Sequence, residues 1–244
     1  VSRDAGVWGA DVGITWDAGN GRTLIAFGDN YGPGHFGPMS RFRGSALAWA
    51  DVNNPYNVRT TQFFTGYENK AEEIVNSGHG HNRELSKIPT AAMSLHGVQY
   101  IDFMSIRRWG DPVMWTTNFS HIYRSTDYGQ TWQPTHIFRP NSGGFANFQM
   151  GAFLKHGRYV YEFCTPNGRM GDGYLARVPA RSFEELHAWE YWNGKKWIKD
   201  DPAAAAPVIP GRISELTVQW NPRLKRFMML TLGNGDNIYL RYSK

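Results

Sequence analysis

Residues 121–132 read HIYRSTDYGQTW, with Ser125, Asp127, Gly129, Thr131 and Trp132 at the spacing S-x-D-x-G-x-T-W. The stretch reads as a β-rich run entering a tight turn. A short acidic side chain accepts hydrogen bonds from backbone N–H groups of its own turn, and glycine allows the reversal. The tryptophan that follows offers a large apolar face for packing between sheets. On this reading Asp127 folds a hairpin and does no chemistry.

Working outward, the same punctuation recurs. ADVGITWDAGNGRTLIAFGD (10–29) has two β-rich runs around AGNG, a strong hairpin signal. GSALAWADVNNPYNV (44–58) adds a strand that ends at Asn53, Asn54 and Pro55. AAMSLHGVQYIDFMSIRR (91–108) turns near His96 and Gly97. GAFLKHGRYVYEFCT (151–165), GYLARVP (173–179) and WEYWNGKKWIK (189–199) form a further group. The last group is residues 214–244, with its first turn at Asn221, Pro222 and Arg223. Helix is scarce: RSFEELHAW (181–189) predicts one or two turns capped by Ser182 with Glu185, and NKAEEIV (69–75) another short piece. Segments 64–88 and 139–148 lack a pattern and read as surface loops. The expectation is an all-β fold of about four antiparallel sheets in one domain over residues 1–244. Repeated units of this kind mark a β-propeller, where the turn at Asp127 is known as an Asp-box. A β-sandwich would not predict that turn.

Composition supports the class and narrows the partners. Of 244 residues, 10 are Trp, 12 Tyr, 14 Phe and 27 Gly, an aromatic and turn-rich balance that favours strands. Net charge is +5, yet no basic run is longer than GKKW (194–197), so nucleic acid is not the expected partner. A basic exterior suits an acidic cell envelope instead. Cys164 is the single cysteine, so no intramolecular disulfide and no cysteine zinc site forms, and it reads as a small buried hydrophobe. No apolar run approaches a membrane span. The opening VSRDAGVWGADVG reads as a mature or trimmed start, so the missing signal sequence leaves export open.

The acids worth weighing stand at strand ends. Asp11 opens DVGITWD and Asp29 closes AFGDNYG; a hairpin brings the start of one strand beside the end of the next, so the two carboxyls meet. Such a pair suits glycoside hydrolysis, with one group protonated and the other ionised; the plain alternative is that each caps a turn. Glu215 opens SELTVQW. Glu162 and Asp102 lie in aromatic strands and read as partners of arginine, and Asp17 as a turn residue. Trp109, Trp115, Tyr31 and Trp16 are candidate stacking faces for sugar rings, Trp109 foremost. His35, His79, His81 and His96 share no metal-ligand spacing, so neither metal nor cofactor is expected. TPNGRMGDGY (165–174) lacks the context of a phosphate loop.

DVGITWD (11–17), FGDNYG (27–32), FRGSALAW (42–49), IPTAAMSLHGVQYIDFMSIRRWG (88–110), NFSHIYRSTDYGQTW (118–132), YVYEFCTPNGRMGDGYLARV (159–178) and SELTVQW (214–220) together resemble a known family. It comprises actinobacterial five-bladed β-propellers, once catalogued as a domain of unknown function and since recognised as endo-D-arabinanases. The resemblance covers nearly the whole chain. It implies endo-cleavage of α-linked D-arabinofuranose chains of mycobacterial arabinogalactan and lipoarabinomannan, with inversion, by a secreted or envelope-associated enzyme. It also implies Asp11 as general base and Asp29 as general acid, or the reverse. Asn30, Arg43, Gln149, Arg169, Glu215 and Gln219 match polar family positions expected to recognise hydroxyls. The family continues into a fifth blade past the strand matched by NIYLRYSK (237–244), so that blade is expected to be missing here or supplied by another segment or a second chain. Two rivals remain: a glycan-binding propeller without catalysis, and a sialidase. The latter would want several Asp-boxes and three convergent arginines.

Overall fold

The computed structural model describes residues 1–33, 41–80, 83–110, 114–233 and 237–243. The chain packs as two compact units, Val1–Arg107 with Tyr123–Pro134, and Arg108–Ile122 with Thr135–Lys244. Among the described residues the only helices are short 3-10 turns; everything else regular is strand.

β1 (Gly9–Asp17), β2 (Thr23–Tyr31), β3 (Arg43–Asp51) and β4 (Arg59–Phe63) form an antiparallel meander in that order. The turn between β1 and β2 holds for local reasons. Gly19 and Gly21 take positive φ, and the carboxylate of Asp17 and the amide of Asn20 accept N–H bonds from Gly19 and Arg22. β5 (Ser86–Leu95), β6 (Val98–Trp109), β7 (Trp115–Ser125) and β8 (Gln133–Pro140) make a second sheet in chain order. His96 and Gly97, both left-handed, close the β5–β6 hairpin as expected.

Asp127 behaves as a turn residue. Its Oδ1 accepts from the Ser125 hydroxyl at 2.7 Å and the Thr131 N–H at 2.9 Å, and its Oδ2 from the Thr131 hydroxyl at 2.6 Å. Burial opposes its charge, but these donors outweigh that and hold the carboxyl below its ordinary range. Trp132 packs against the core of Leu24, Leu47, Trp49, Ile101 and Phe103. Gly129 has φ 95° and lies so close to Leu47 that an added Cβ would come within 2.6 Å of its Cδ2.

β9 (Met150–His156), β10 (Tyr159–Thr165), β11 (Gly171–Pro179), β12 (Glu190–Trp192) and β13 (Trp197–Lys199) form the next meander. β14 (Ile209–Asn221), β15 (Arg226–Leu232) and β16 (Ile238–Tyr242) follow, joined to it where Gly171 and Gly173 of β11 pair with Ile213 and Ile209 of β14. Among the described residues the sheets are open, and none closes on itself.

Several expectations change. Residues 64–80 are no loose surface loop: Ala71, Val75 and Ser77 are buried, and the backbone is tied to Ala5, Leu47 and Ser45. Ser86 to Ile88 belong to β5. Within 139–148, Arg139 and Phe148 are wholly buried. The RSFEELHAW region is two separate 3-10 turns, Ala180–Ser182 and Leu186–Ala188, neither with a side-chain cap. Of NKAEEIV only Asn69 is helical, as the last residue of the 3-10 turn Tyr67–Asn69. β4, with the polar sequence RTTQF, had no hydrophobic alternation to announce it.

In the second unit, Arg139 of β8 and Glu162 of β10 form a wholly buried ion pair, Nη1 to Oε1 at 2.9 Å and Nη2 to Oε2 at 2.8 Å. The guanidinium also lies 4.6 Å from the Trp189 ring. Burial works against the Arg139 charge, but Glu162 outweighs it and holds the group above its ordinary value. Removing one partner leaves an uncompensated buried charge. Glu162→Gln should therefore lower stability by about 3–5 kcal/mol, read from the urea midpoint, while Arg139→Met combined with Glu162→Leu should recover most of it.

Candidate active site

Asp11 and Asp29 both lie in the first unit, and the structure brings them to one end of the β1–β2 hairpin. Asp11 stands opposite Gly28 in the ladder, and the register is irregular on both sides of it, between Gly9 and Asp11 and between Asp11 and Ile14. Val12 (φ 47°) and Asp29 (φ 37°) are left-handed. For a β-branched valine this is a true outlier, and such residues cost on the order of 1–3 kcal/mol each, concentrating where function requires them. Asp11 is exposed, its Oδ1 accepting from the N–H of Val12 at 2.8 Å. Gly28 allows the close approach: a Cβ there would lie 2.7 Å from Ile88 Cγ2 and 2.9 Å from Val12 Cγ2.

Asp29 sits in a different environment. It is 7% exposed, and its Oδ1 accepts from the hydroxyl of wholly buried Ser86 at 2.6 Å. Its Oδ2 takes no hydrogen bond from the described residues. Burial pushes the carboxyl up from 3.8 to about 6; the Ser86 hydroxyl opposes this, the charges of Asp11 and Glu73 add to it, and His79 opposes it weakly. The Tyr31 phenol is raised by burial and then by Asp29 and Asp11, so it feels both carboxylates. Glu73 in turn accepts from the N–H groups of Gly44 at 2.6 Å and Ser77 at 2.9 Å, and lies 3.1 Å from His79 Nε2.

The other sequence candidates fall out unevenly. Asn30 is wholly buried, its amide N–H directed to the carbonyls of Phe27 and Arg43 at 3.4 and 3.5 Å. Arg43 is nearly buried and holds the Gly6 carbonyl at 3.3 Å; burial and Arg41 lower it, against Glu73. Both side chains are closed off from solvent, and the Asn30 Oδ1 has no hydrogen-bond partner among the described residues. In the second unit, Gln149 is also wholly buried. Its amide is used by the Thr117 hydroxyl at 2.7 Å and the carbonyls of Phe145 and Arg139, which leaves nothing for a sugar hydroxyl. Arg169 and Glu215 form a half-open bidentate pair, with Nη2 to Oε1 at 2.6 Å and Nε to both oxygens; Glu215 also accepts from Ser214. The guanidinium lies 5.4 Å from the Trp115 ring, itself 6.2 Å from Trp109. Trp109 is 45% exposed and keeps an open face, whereas Trp115 and Trp16 are buried, so those two are no stacking platforms. Gln219 is exposed on β14, about 13 Å along the strand from Glu215.

Ser86 and Glu73 carry no signal in the sequence, and His79 shows there only the lack of a metal-ligand spacing: all three come from a segment without strand or helix pattern, and nothing local in HGHN or LSKIP points toward Asp29. His35 and His81 lie outside the described residues. Among the described residues no group of three or more His, Cys, Asp or Glu is placed to hold a metal ion. A cavity of about 470 Å³ opens in the second unit, lined by Leu154, Phe163, Val218 and Met229 among others. None of its lining residues is a carboxylate, so it lacks the acid pair that glycoside hydrolysis uses.

The Asp29 environment has a stability consequence. The folded state binds this proton more tightly than the unfolded chain, so its contribution is present below pH 3.8 and lost as pH rises from 3.8 through about 6. The loss is on the order of 3 kcal/mol. Asp29→Asn, which removes the charge and keeps the shape, should melt several degrees higher than the native chain at pH 7.5. Differential scanning calorimetry should show that gap closing by pH 3.5.

A model of a domain of unknown function (DUF4185) matches residues 2–244. No curated protein sequence matches the chain. Among solved structures, a candidate hydrolase from Bacteroides ovatus overlays at TM-score 0.65 with 11% identity, covering 99% of this chain and 68% of that one. An α-L-arabinofuranosidase from Lactobacillus brevis overlays at 0.54 with 10% identity, covering 91% and 69%. A β-fructofuranosidase from Bombyx mori overlays at 0.53 with 10% identity, covering 96% and 46%. The chain thus spans about two thirds of the first two and under half of the third. At such identities the likeness is one of fold, here an all-β fold shared with glycoside hydrolases. The chain belongs to the DUF4185 family.

Proposed function

We propose that this chain is a glycoside hydrolase of the endo-D-arabinanase type, cleaving internal α-D-arabinofuranosyl linkages of mycobacterial arabinogalactan and lipoarabinomannan with inversion. The observation that carries this reading is the split between two carboxyls at one strand end: Asp11 exposed, Asp29 buried and held to about 6. Opposed environments of this kind separate an acid from a base. Asp29 then protonates the glycosidic oxygen from Oδ2 while Ser86 fixes Oδ1, and Asp11 takes a proton from the attacking water on the other face of the sugar. A module that only bound glycan would gain nothing from a buried, proton-holding carboxyl. The fold likeness to an α-L-arabinofuranosidase and a β-fructofuranosidase supports a furanoside as substrate. The arabinan itself rests on the family resemblance of the motifs. The meanders are read as propeller blades, and the site of action as the cell envelope or outside the cell.

The test is incubation of the native chain, Asp11→Asn and Asp29→Asn with purified mycobacterial arabinogalactan, followed by chromatography of the products. The native chain should release oligo-arabinosides, and each variant should be slower by about 10²–10⁴-fold. Binding without release by a folded native chain would instead favour the glycan-binding reading. Ser86→Ala adds a pH arm. Removing a donor that favours the ionised form raises the Asp29 carboxyl further, so the alkaline limb of the rate profile should move to higher pH.

A further inference from the structure

We propose that Trp8, braced by Arg3, is a sugar-stacking platform that holds the glycan chain beside the Asp11–Asp29 pair; this rests on the glycosidase reading. Trp8 is 56% exposed, while its predecessor Val7 is buried. Its backbone is nonetheless held fast. The Trp8 N–H donates to the Tyr31 carbonyl at 2.7 Å, and Val7 and Gly6 bond back to Ser2 and Arg3. Ala71 donates to the Ala5 carbonyl, Arg43 to that of Gly6 and the Lys70 ammonium to that of Asp4. Ala5 and Val7 pack with Ile25, Ala46 and Phe63. A large aromatic ring is therefore displayed in solvent on a segment that cannot fold away.

Its position gives the display a purpose. Tyr31, whose carbonyl Trp8 holds and whose ladder partner is Gly9, is the phenol that feels both carboxylates. Trp8 immediately precedes β1 and Asp11 is the third residue of that strand, so three residues of chain hold them at most about 10 Å apart, the order of distance a short oligosaccharide spans. Between them Gly9 leaves the strip clear, since a Cβ there would meet nothing within 4 Å. The Arg3 guanidinium lies over the indole, 5.0 Å from its centroid, which limits the ring's rotation and covers one face, so the sugar takes the opposite face. A furanose ring has a C–H face that packs on such a surface while its hydroxyls stay in water, and an aromatic fixed in advance costs little entropy on binding.

A platform away from the reacting bond contributes uniform binding, which appears in KM and not in kcat. With mycobacterial arabinogalactan as substrate, Trp8→Ala should raise KM about tenfold and leave kcat within about twofold, with Trp8→Phe in between. The melting temperature should not move, because the ring is mostly solvated. An unchanged KM, or a loss in kcat alone, overturns the proposal and leaves the glycosidase reading intact. If the native chain releases no product, that reading fails, and affinity electrophoresis in gels containing the same polysaccharide decides the platform separately. Retardation lost in Trp8→Ala sustains it, and equal or absent retardation overturns it.

Discussion

The site depends on how β1 meets β2. The ladder is regular from Ile14 through Asp17 and slips around Asp11, where two left-handed residues, Val12 and Asp29, re-aim the strands. Irregularity of this sort bends a strand and redirects a side chain. It leaves Asp11 in water and turns the Asp29 carboxyl inward. Gly28 makes the slip possible, since any side chain there would collide with Ile88 or Val12, and Gly44 does the same one strand over, where a Cβ would strike Ser77 and Ser86 at 2.6 Å. Both glycines therefore let β5 close against the first sheet and deliver the Ser86 hydroxyl.

Burial then does the chemical sorting. Asp29 loses its water and Asp11 does not, and this difference in burial favours the neutral form of the Asp29 carboxyl. The nearby acids sharpen the difference, while Ser86 and His79 limit it, so the buried carboxyl titrates near 6. The second unit shows the same variable acting on ion pairs. Arg139 and Glu162 are sealed from solvent and can only be structural. Arg169 and Glu215 make a similar fork but remain half open beside Trp115 and the exposed Trp109. Residue type alone does not separate these two pairs.

The sequence by itself determined the hairpins, because turn chemistry is local. AGNG, His96-Gly97 and the Ser125–Trp132 turn each carry their own glycines and acceptors, and the structure folds them as read. It also determined that Asp11 and Asp29 share an end, since an antiparallel hairpin leaves no other choice. Asp17 as a turn residue, Cys164 as a buried hydrophobe and Glu162 as the partner of an arginine were legible for similar reasons. Only the tertiary structure decided that 64–80 docks on the first sheet and carries Glu73 and His79 toward Asp29, that Ser86 bonds it, that Asn30 and Gln149 are walled in, and that Trp8 stands out in solvent. Those outcomes depend on which surfaces far apart in the chain come to lie against each other, and a side chain's exposure, charge state and hydrogen-bond partners are set by that packing rather than by its neighbours in sequence.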